Sequence, residues 1–478
     1  MRQNLQKLVE KVLKDPDVRR AVVTKNFEWF FSIYFHAYIK YETAPFQREI
    51  FRIAEDLRTR LSVIVAFRGS AKSTIITTAY PLWAILGVQK KHFVVILSQT
   101  QTQARQHLAN IKYELEQNEL LRKDLGPFKE EPPDEWGRSA IVIPKYRAKI
   151  IAASVEQSIR GIRYLEYRPD LIIADDIEDL DSVRTLESRN KTYDWFKGDV
   201  LPSGDKNLKT IIVGNLLHED SVLKRLQQEI ESGVLTGIYR EYPLVTDEDT
   251  ILWPGKFPTM QDVEIERKKF GNDLSWHREF LLKILPSDGQ VVYHEWIQYY
   301  DTLPTNMYAV WTKTGIDLAI SKRDTADFTA MVTGTLYRRG NELFLYIHPY
   351  PINERMDFPE TLEKAKLVAG TGKRNELLIE EVAYQTSLHQ QLSKEWYFAR
   401  GVQTRGLDKR TRLAYISNFI KNGNILFPEK GCETLIAQIV GFGVEKHDDL
   451  MDAFVILVNE AMNQRRVFPG FVEKPDRI

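Results

Sequence analysis

The stretch Ala66-Phe67-Arg68-Gly69-Ser70-Ala71-Lys72-Ser73-Thr74 has the residue types of a phosphate-binding loop. It follows an apolar run over 61–65 and precedes a helix-like stretch over 75–86. In a strand, loop and helix of this kind, backbone N–H groups and the positive helix end hold phosphates. The lysine reaches the outer phosphates and the hydroxyl residue ligates Mg²⁺. The candidate nucleotide contacts are therefore Arg68, Gly69, Ser70, Ala71, Lys72, Ser73 and Thr74. Ala66 and Ala71 stand where the usual pattern has glycine. Alanine at 71 must tolerate a backbone geometry that glycine usually supplies, so a slightly more open loop is expected.

A phosphate loop needs a second element. The apolar run over 171–174 ends in Asp175-Asp176. Asp175 suits the role of holding Mg²⁺ through water, and Asp176 that of polarising the attacking water, with Glu178 as the alternative base. An acidic turn after a core strand is the competing reading. A further apolar run over 208–214 ends in Asn215, placed to sense the γ-phosphate, with His218 nearby. Gln47, just upstream of the first strand, could hydrogen-bond both edges of adenine.

A second set of acids lies in the C-terminal third. Runs over 309–320, 327–337 and 342–347 are joined by short turns, as in an antiparallel meander. A helix over 357–368, a strand over 375–381 and terminal helices follow. This is the element order of an RNase H-like nuclease, and the acids fall where that fold uses them. Asp317 lies on the first strand, Glu380 ends the fourth, and Asp448, Asp449 and Asp452 open the last helix. Converging carboxylates repel unless cations join them, and two Mg²⁺ or Mn²⁺ ions about 4 Å apart are the common solution for phosphodiester cleavage. Each acid alone also has a plainer reading. Asp449 and Asp452 suit the first turn of any helix, Asp327 is a surface acid or an auxiliary ligand, and Glu381 faces the other way. Arg405, Lys409, Arg410 and Arg412 cluster beside this site as candidate phosphate-backbone contacts. Arg160, Arg163 and Arg168 form a second basic cluster, near the phosphate loop. It could position DNA or supply an arginine to a neighbouring subunit's ATP.

The elements that must position these residues need more than one core. The chain has 478 residues, beyond the usual single-core limit. Alternating strands and helices predict an α/β fold with a mostly parallel sheet, a P-loop NTPase domain of the ASCE type, followed by an RNase H-like α/β domain. The expected divisions are a helical segment over 1–40, the ATPase core over 41–218, a strand-free lid or linker over 219–285 and the nuclease domain over 286–478. The segment 1–20 carries Leu5, Leu8, Val9, Val12 and Leu13 at helical spacing and reads as an amphipathic docking helix. A formal net charge of +0 gives no whole-molecule electrostatic case for nucleic acid, so any contact must come from local patches. The single cysteine, Cys432, excludes an internal disulfide and a cysteine-clustered zinc site. No apolar run approaches a membrane span.

The pairing of these two domains resembles the large terminase subunit of tailed bacteriophages. The resemblance runs over roughly residues 40–465. It is carried by Phe67-Arg-Gly-Ser-Ala-Lys-Ser-Thr74, by Arg160-Gly-Ile-Arg163 with Arg168-Pro-Asp-Leu-Ile-Ile-Ala-Asp-Asp176, and by His447-Asp-Asp-Leu-Met-Asp-Ala453. What it implies is a DNA-packaging motor. Arg68 would touch the γ-phosphate in cis, and Lys72 and Ser73 would serve phosphate and Mg²⁺. Asp175 and Asp176 would be the Walker B pair, with Asn215 in the coupling segment. Asp317, Glu380 and Asp449 would be the nuclease triad, assisted by Asp448 or Asp452. Two departures stand out: Walker B usually ends Asp-Glu, and Asn215 replaces a small hydroxyl residue. The implied cofactors are ATP with one Mg²⁺ (or Mn²⁺) at the ATPase site and two metals at the nuclease site. The implied partners are double-stranded DNA, the portal protein of the procapsid, a small terminase subunit and further copies in a pentameric ring, with no membrane. The implied place is the host cytoplasm, transiently at the portal and not in the mature virion. A helicase–nuclease of repair or mobile elements is the alternative enzyme. Such helicases need a second motor domain, and the sequence shows no second α/β motor domain before residue 286. A DNA-binding or portal-docking protein with inactive sites is the non-enzymatic alternative.

Overall fold

The computed structural model describes residues 9–129, 135–155, 157–285, 290–318, 328–340, 342–370, 375–380, 386–395, 397–402, 408–443, 445 and 447–467. Leu5, Leu8, Asp327, Glu381 and Arg405 lie outside them. The chain divides into two compact units, Met1–Leu285 and Pro286–Ile478. No helix among the described residues is long and apolar enough to cross a membrane.

The first unit is built on β1 (Leu61–Ala66), β2 (Phe93–Ser98), β3 (Ala140–Ile143), β4 (Ala148–Ser154), β5 (Leu171–Asp175), β6 (Lys209–Gly214) and β7 (Ile238–Tyr242). They form one sheet in the order β3-β4-β2-β5-β6-β1-β7. Every neighbouring pair is parallel except β3 with β4. The apolar runs of β1, β2, β5 and β6 do not alternate because these strands are buried on both faces. Val63 and Val65 enter one apolar cluster and Ile64 and Ala66 the other, so the period of two divides the core between the faces. β6 lies between the phosphate-loop strand β1 and the acid-bearing strand β5, as the ASCE arrangement requires. The three carboxyl-terminal ends thus bring the loop, Asn215 and Asp175 side by side.

One detail of this unit differs from the sequence expectation. The stretch 219–285 is not strand-free, because β7 pairs with β1 in parallel. Its Ile-Tyr-Arg-Glu-Tyr sequence is half exposed at the sheet edge and shows no apolar run. Helix Gln101–Gln117 is followed at once by a second helix, Glu119–Leu125, which Asn118 caps by accepting from Leu121 N at 3.1 Å. The helices that matter below are α1 (Pro45–Glu55), α2 (Tyr80–Leu86), α3 (Gln101–Gln117) and α4 (Val222–Glu231). Before α2, the helix that leaves the loop is π-wound over Thr74–Ala79.

The second unit holds β8 (Gln298–Tyr300), β9 (Tyr308–Asp317), β10 (Thr329–Arg339), β11 (Glu342–Ile347), β12 (Ile352–Glu354), β13 (Asn375–Glu380), β14 (Ala399–Val402) and β15 (Ile425–Pro428). The order is β14-β13-β9-β10-β11-β15-β8, with β12 on β10. β10 runs antiparallel to both β9 and β11, while β13 and β14 continue the sheet in parallel beyond β9. This is an RNase H-like sheet, extended at the β11 edge by β15 and β8. Two helices reach its acids: α5 (Lys409–Lys421) and α6 (Asp449–Val467). Helix α6 lies directly on β9 because Gly315 has no side chain. A Cβ there would fall far inside contact with the Ala453 carbonyl oxygen and 3.0 Å from Leu457 N.

Candidate nucleotide site and carboxylate centre

The phosphate loop closes through a left-handed turn. Gly69 has φ 77° and Ala71 has φ 69°. The expectation of a more open loop at Ala71 is not what is seen, since the alanine takes the glycine-type conformation itself. That conformation costs a residue with a Cβ roughly 1–2 kcal/mol. Neighbours hold the loop in place. Gln47 of α1 accepts from Ala44 N at 3.0 Å and donates Nε2 to the Ser70 carbonyl at 2.9 Å. Both ends of this buried amide are thus turned to protein, and Gln47 braces the loop rather than presenting an edge to adenine. Lys256 donates to the Gly69 carbonyl at 2.9 Å and lies over the Trp253 ring.

The charged groups meet at the strand ends. Lys72 Nζ donates to Asn215 Oδ1 at 2.7 Å. Ser73 Oγ donates to Asp175 Oδ1 at 3.2 Å. Thr74 opens the π-wound segment, and Thr77, one turn further on, donates to Asp175 Oδ2 at 2.6 Å. Asp176 sits at φ 47° on the turn after β5, with its N–H donating to the Val213 carbonyl at 3.0 Å. Burial and then the neighbouring Asp175 raise the pKa of Asp176, opposed by Lys72. Asp176, Glu178, Gly214, Asn215 and Leu223 line a small pocket. Glu178, the alternative base, accepts from Val222 N at 2.8 Å, at the first residue of α4. Burial pushes Glu178 up to about 7. It is committed to a helix N-terminus, whereas Asp176 stands beside Lys72 and Asn215. His218 is engaged locally, accepting from Asp220 N at 2.9 Å.

Arg68 does not lie over the loop. Its Nη1 pairs with Glu279 Oε2 at 2.6 Å and its N–H donates to the Glu279 carbonyl at 2.8 Å. A γ-phosphate contact would require exchange of that partner. Arg160 of the other basic cluster pairs with Asp199. Sequence reasoning missed Thr77, His107, Lys256 and Glu279, which reach the site from separate segments with no spacing that announces them.

In the second unit the acids converge at the carboxyl end of β9. Burial first, then Asp452, Glu380 and Asp449, push Asp317 up to about 8. Asp449 and Asp452 are buried. Cations of the chain itself enter the cluster. Lys409 Nζ lies 2.7 Å from Asp448 Oδ1 and 2.7 Å from Asp452 Oδ2. Arg412 lies 3.2 Å from Asp452 Oδ1 and 3.6 Å from Glu380 Oε1. These two residues, expected to face DNA, face the acids instead. Among the described residues no group of three or more His, Cys, Asp or Glu is gathered closely enough to hold a metal ion. The donors are all hard carboxylate oxygens of the kind Mg²⁺ and Mn²⁺ take. Their type fits the ions, while Lys409 and Arg412 are paired with Asp448, Asp452 and Glu380.

No family model matches the chain, and no curated protein matches it. Solved structures do. The large terminase from a thermophilic bacteriophage, in complex with ADP, is 11% identical, with 88% of this chain and 99% of that chain covered and a TM-score of 0.36. The large terminase ATPase domain of Thermus phage P74-26 is 13% identical over 52% of this chain and 98% of that one, with a TM-score of 0.34. The large terminase nuclease of thermophilic phage G20c, with bound magnesium, is 8% identical over 36% of this chain and 94% of that one, with a TM-score of 0.25. Likeness of this degree assigns no role to any residue, and the chemistry of the two sites rests on their own geometry.

Proposed function

We propose that this chain is the large subunit of a viral DNA-packaging terminase. In this reading ATP hydrolysis in the first unit drives double-stranded DNA into the procapsid, and a two-metal endonuclease in the second cuts the concatemer. One observation carries it: a single chain joins a phosphate loop facing Asp175 across an ASCE-ordered sheet to an RNase H-like sheet with Asp317, Glu380, Asp449 and Asp452 at one end.

In the first unit the loop amides and Lys72 bind the phosphates, and Ser73 and Asp175 would hold Mg²⁺. The ion, when bound, neutralises charge on the outer phosphates. Asp176 orients and deprotonates the attacking water, favoured over Glu178 because the latter caps α4. Asn215, bonded to Lys72, feels the γ-phosphate through that lysine. Arg68 leaves Glu279 to meet the γ-phosphate. In the second unit Asp317, Glu380 and Asp449, with Asp448 or Asp452, would hold two divalent ions. The working assembly is a pentameric ring at the portal protein, loaded by a small terminase subunit in the host cytoplasm.

The test separates the two activities. Lys72→Ala removes the cation from the phosphates and should lower DNA-stimulated ATPase at least roughly a hundredfold, leaving cleavage in place. Asp317→Ala should remove metal-dependent cleavage and spare the ATPase. If Asp317→Ala abolished ATPase and left cleavage, the reading would be wrong.

A further inference from the structure

Asp175 meets two side chains on one oxygen, both outside the phosphate loop and the acidic strand end. Thr77 donates to Oδ2 at 2.6 Å, and His107 Nε2 lies 3.5 Å from the same oxygen. The other oxygen, Oδ1, faces Ser73 at 3.2 Å. The Asp175 side chain is 1% exposed, so these contacts are not traded for water. The two side chains come from different elements. Thr77 lies four residues after Ser73 in the π-wound segment, which puts both hydroxyls on the side of the helix that faces β5. His107 comes from α3, which packs on β2, β4 and the loop helix.

An aspartate carboxylate turns easily about its last torsion, whose energy profile is broad and two-fold. An Asp175 without partners on Oδ2 could present either oxygen, or its plane edge-on, to an ion beside Ser73. With Oδ2 tied down, Oδ1 has one direction. Groups that orient a metal ligand in this way contribute about tenfold or more to metal affinity.

We propose that Thr77 and His107 are positioning residues that fix the carboxylate plane of Asp175, so that Oδ1 is presented with Ser73 Oγ to magnesium. The proposal rests on the reading of Asp175 as the Mg²⁺-bearing acid. In this role His107 would turn its Nε2–H toward Oδ2, from which it stands 3.5 Å away.

The experiment titrates the full chain with ATPγS, without metal and over a series of Mg²⁺ concentrations. Melting temperatures are recorded alongside to confirm folding. The variants are Thr77→Val and His107→Leu, which keep bulk and lose the donor. Thr77→Ser and His107→Gln restore one, since a glutamine amide nitrogen reaches about as far as Nε2. The expected result is unchanged metal-free binding, a rise of about tenfold in the Mg²⁺ needed for half-maximal tightening, and recovery in the conservative pair. In steady state the loss should appear in KM for Mg·ATP before it appears in kcat. Equal loss of metal-free binding, no change in the Mg²⁺ requirement, or no recovery in Thr77→Ser and His107→Gln would overturn the proposal. Asp175→Asn tells the two layers apart. If it leaves the Mg²⁺ dependence intact, the assignment of Asp175 itself is wrong. If it removes the dependence while Thr77→Val and His107→Leu do not alter it, the positioning role alone fails.

Discussion

The two sites deal with charge in opposite ways. At the phosphate loop the charged groups are held by weaker partners: Lys72 by the neutral amide of Asn215, Asp175 by two hydroxyls and the His107 ring. A nucleotide and its metal can dock there without breaking an ion pair at either residue. Arg68 is held by a carboxylate, Glu279. In the carboxylate centre Asp448, Asp452 and Glu380 are already answered, by Lys409 and Arg412. In the proposed function, metals there displace the chain's own cations. The first site is thus a preformed cradle, and the second is a closed electrostatic cluster that opens at a cost to bind. The second should therefore bind its metals more weakly and with a steeper dependence on pH.

The largest expected effect breaks one site and spares the other. Gly315 is where the backbone of α6 meets β9, and the atoms a Cβ would strike belong to the main chain, which cannot swing aside. Gly315→Ala should push α6 outward, moving Asp449 and Asp452 away from Asp317. Overpacking against main chain costs about 3 kcal/mol. Thermal unfolding of the full chain should show a lower transition for the second unit, with cleavage lost and ATPase unchanged. Normal cleavage by Gly315→Ala would mean that the convergence of the acids does not depend on this contact.

A middle-sized effect concerns pH. Asp317 stands at about 8 in the folded metal-free unit because burial, and then Asp452, Glu380 and Asp449, oppose its ionisation. Its unfolded value lies near 3.8. The folded state therefore takes up a proton across this interval. The stability that proton contributes is full below the unfolded pKa and is lost as pH rises through the folded one. The metal-free second unit should melt lower at about pH 8.5 than at about pH 6. Added Mn²⁺ should raise the melting temperature more at the higher pH, because ligands bind metal deprotonated. Asp317→Asn should remove most of both effects. Scanning fluorimetry over pH with and without Mn²⁺ measures them. A metal-induced gain that grows toward acid would sink this account of the centre.

How far these features could be read from the chain depended on the physics that fixes each. β1, β2, β5 and β6 were legible because strands buried on both faces must be apolar runs. β7 was not, because an edge strand can be Ile-Tyr-Arg-Glu-Tyr and still pair. The positions of Asp175 and Asp317 at strand ends, and of Asn215 just after one, were legible because each closes an apolar run. The partners of these residues were not. Thr77 and His107 meet Asp175 only through helix placement, and Glu279 meets Arg68 across 211 positions. Gly315 did carry a signal, a glycine two residues before a strand-end acid, where close backbone approach is a common cause. Lys409 and Arg412 were misread because their sequence shows a basic run and not the direction in which its members point.

The smallest effect separates two alanines that stand in glycine positions. Ala71 holds φ 69°, a conformation that favours glycine. Ala66 ends β1, fully buried. Ala71→Gly relieves about 1–2 kcal/mol of left-handed strain and gives back about 0.4–1 kcal/mol through the freer unfolded chain. A net gain of about 0.5–1 kcal/mol follows. Ala66→Gly has no strain to relieve and loses strand stability by about 0.5–1 kcal/mol. The same substitution at two positions of one loop should thus move the melting temperature of the first unit in opposite directions. Each shift should be a few degrees or less. Because the strain at Ala71 is local to the loop, Ala71→Gly should also leave the transition of the second unit unmoved. A drop in stability for Ala71→Gly would mean that the residue does not hold the left-handed turn in solution. The loop would then be the more open form that its sequence first implies.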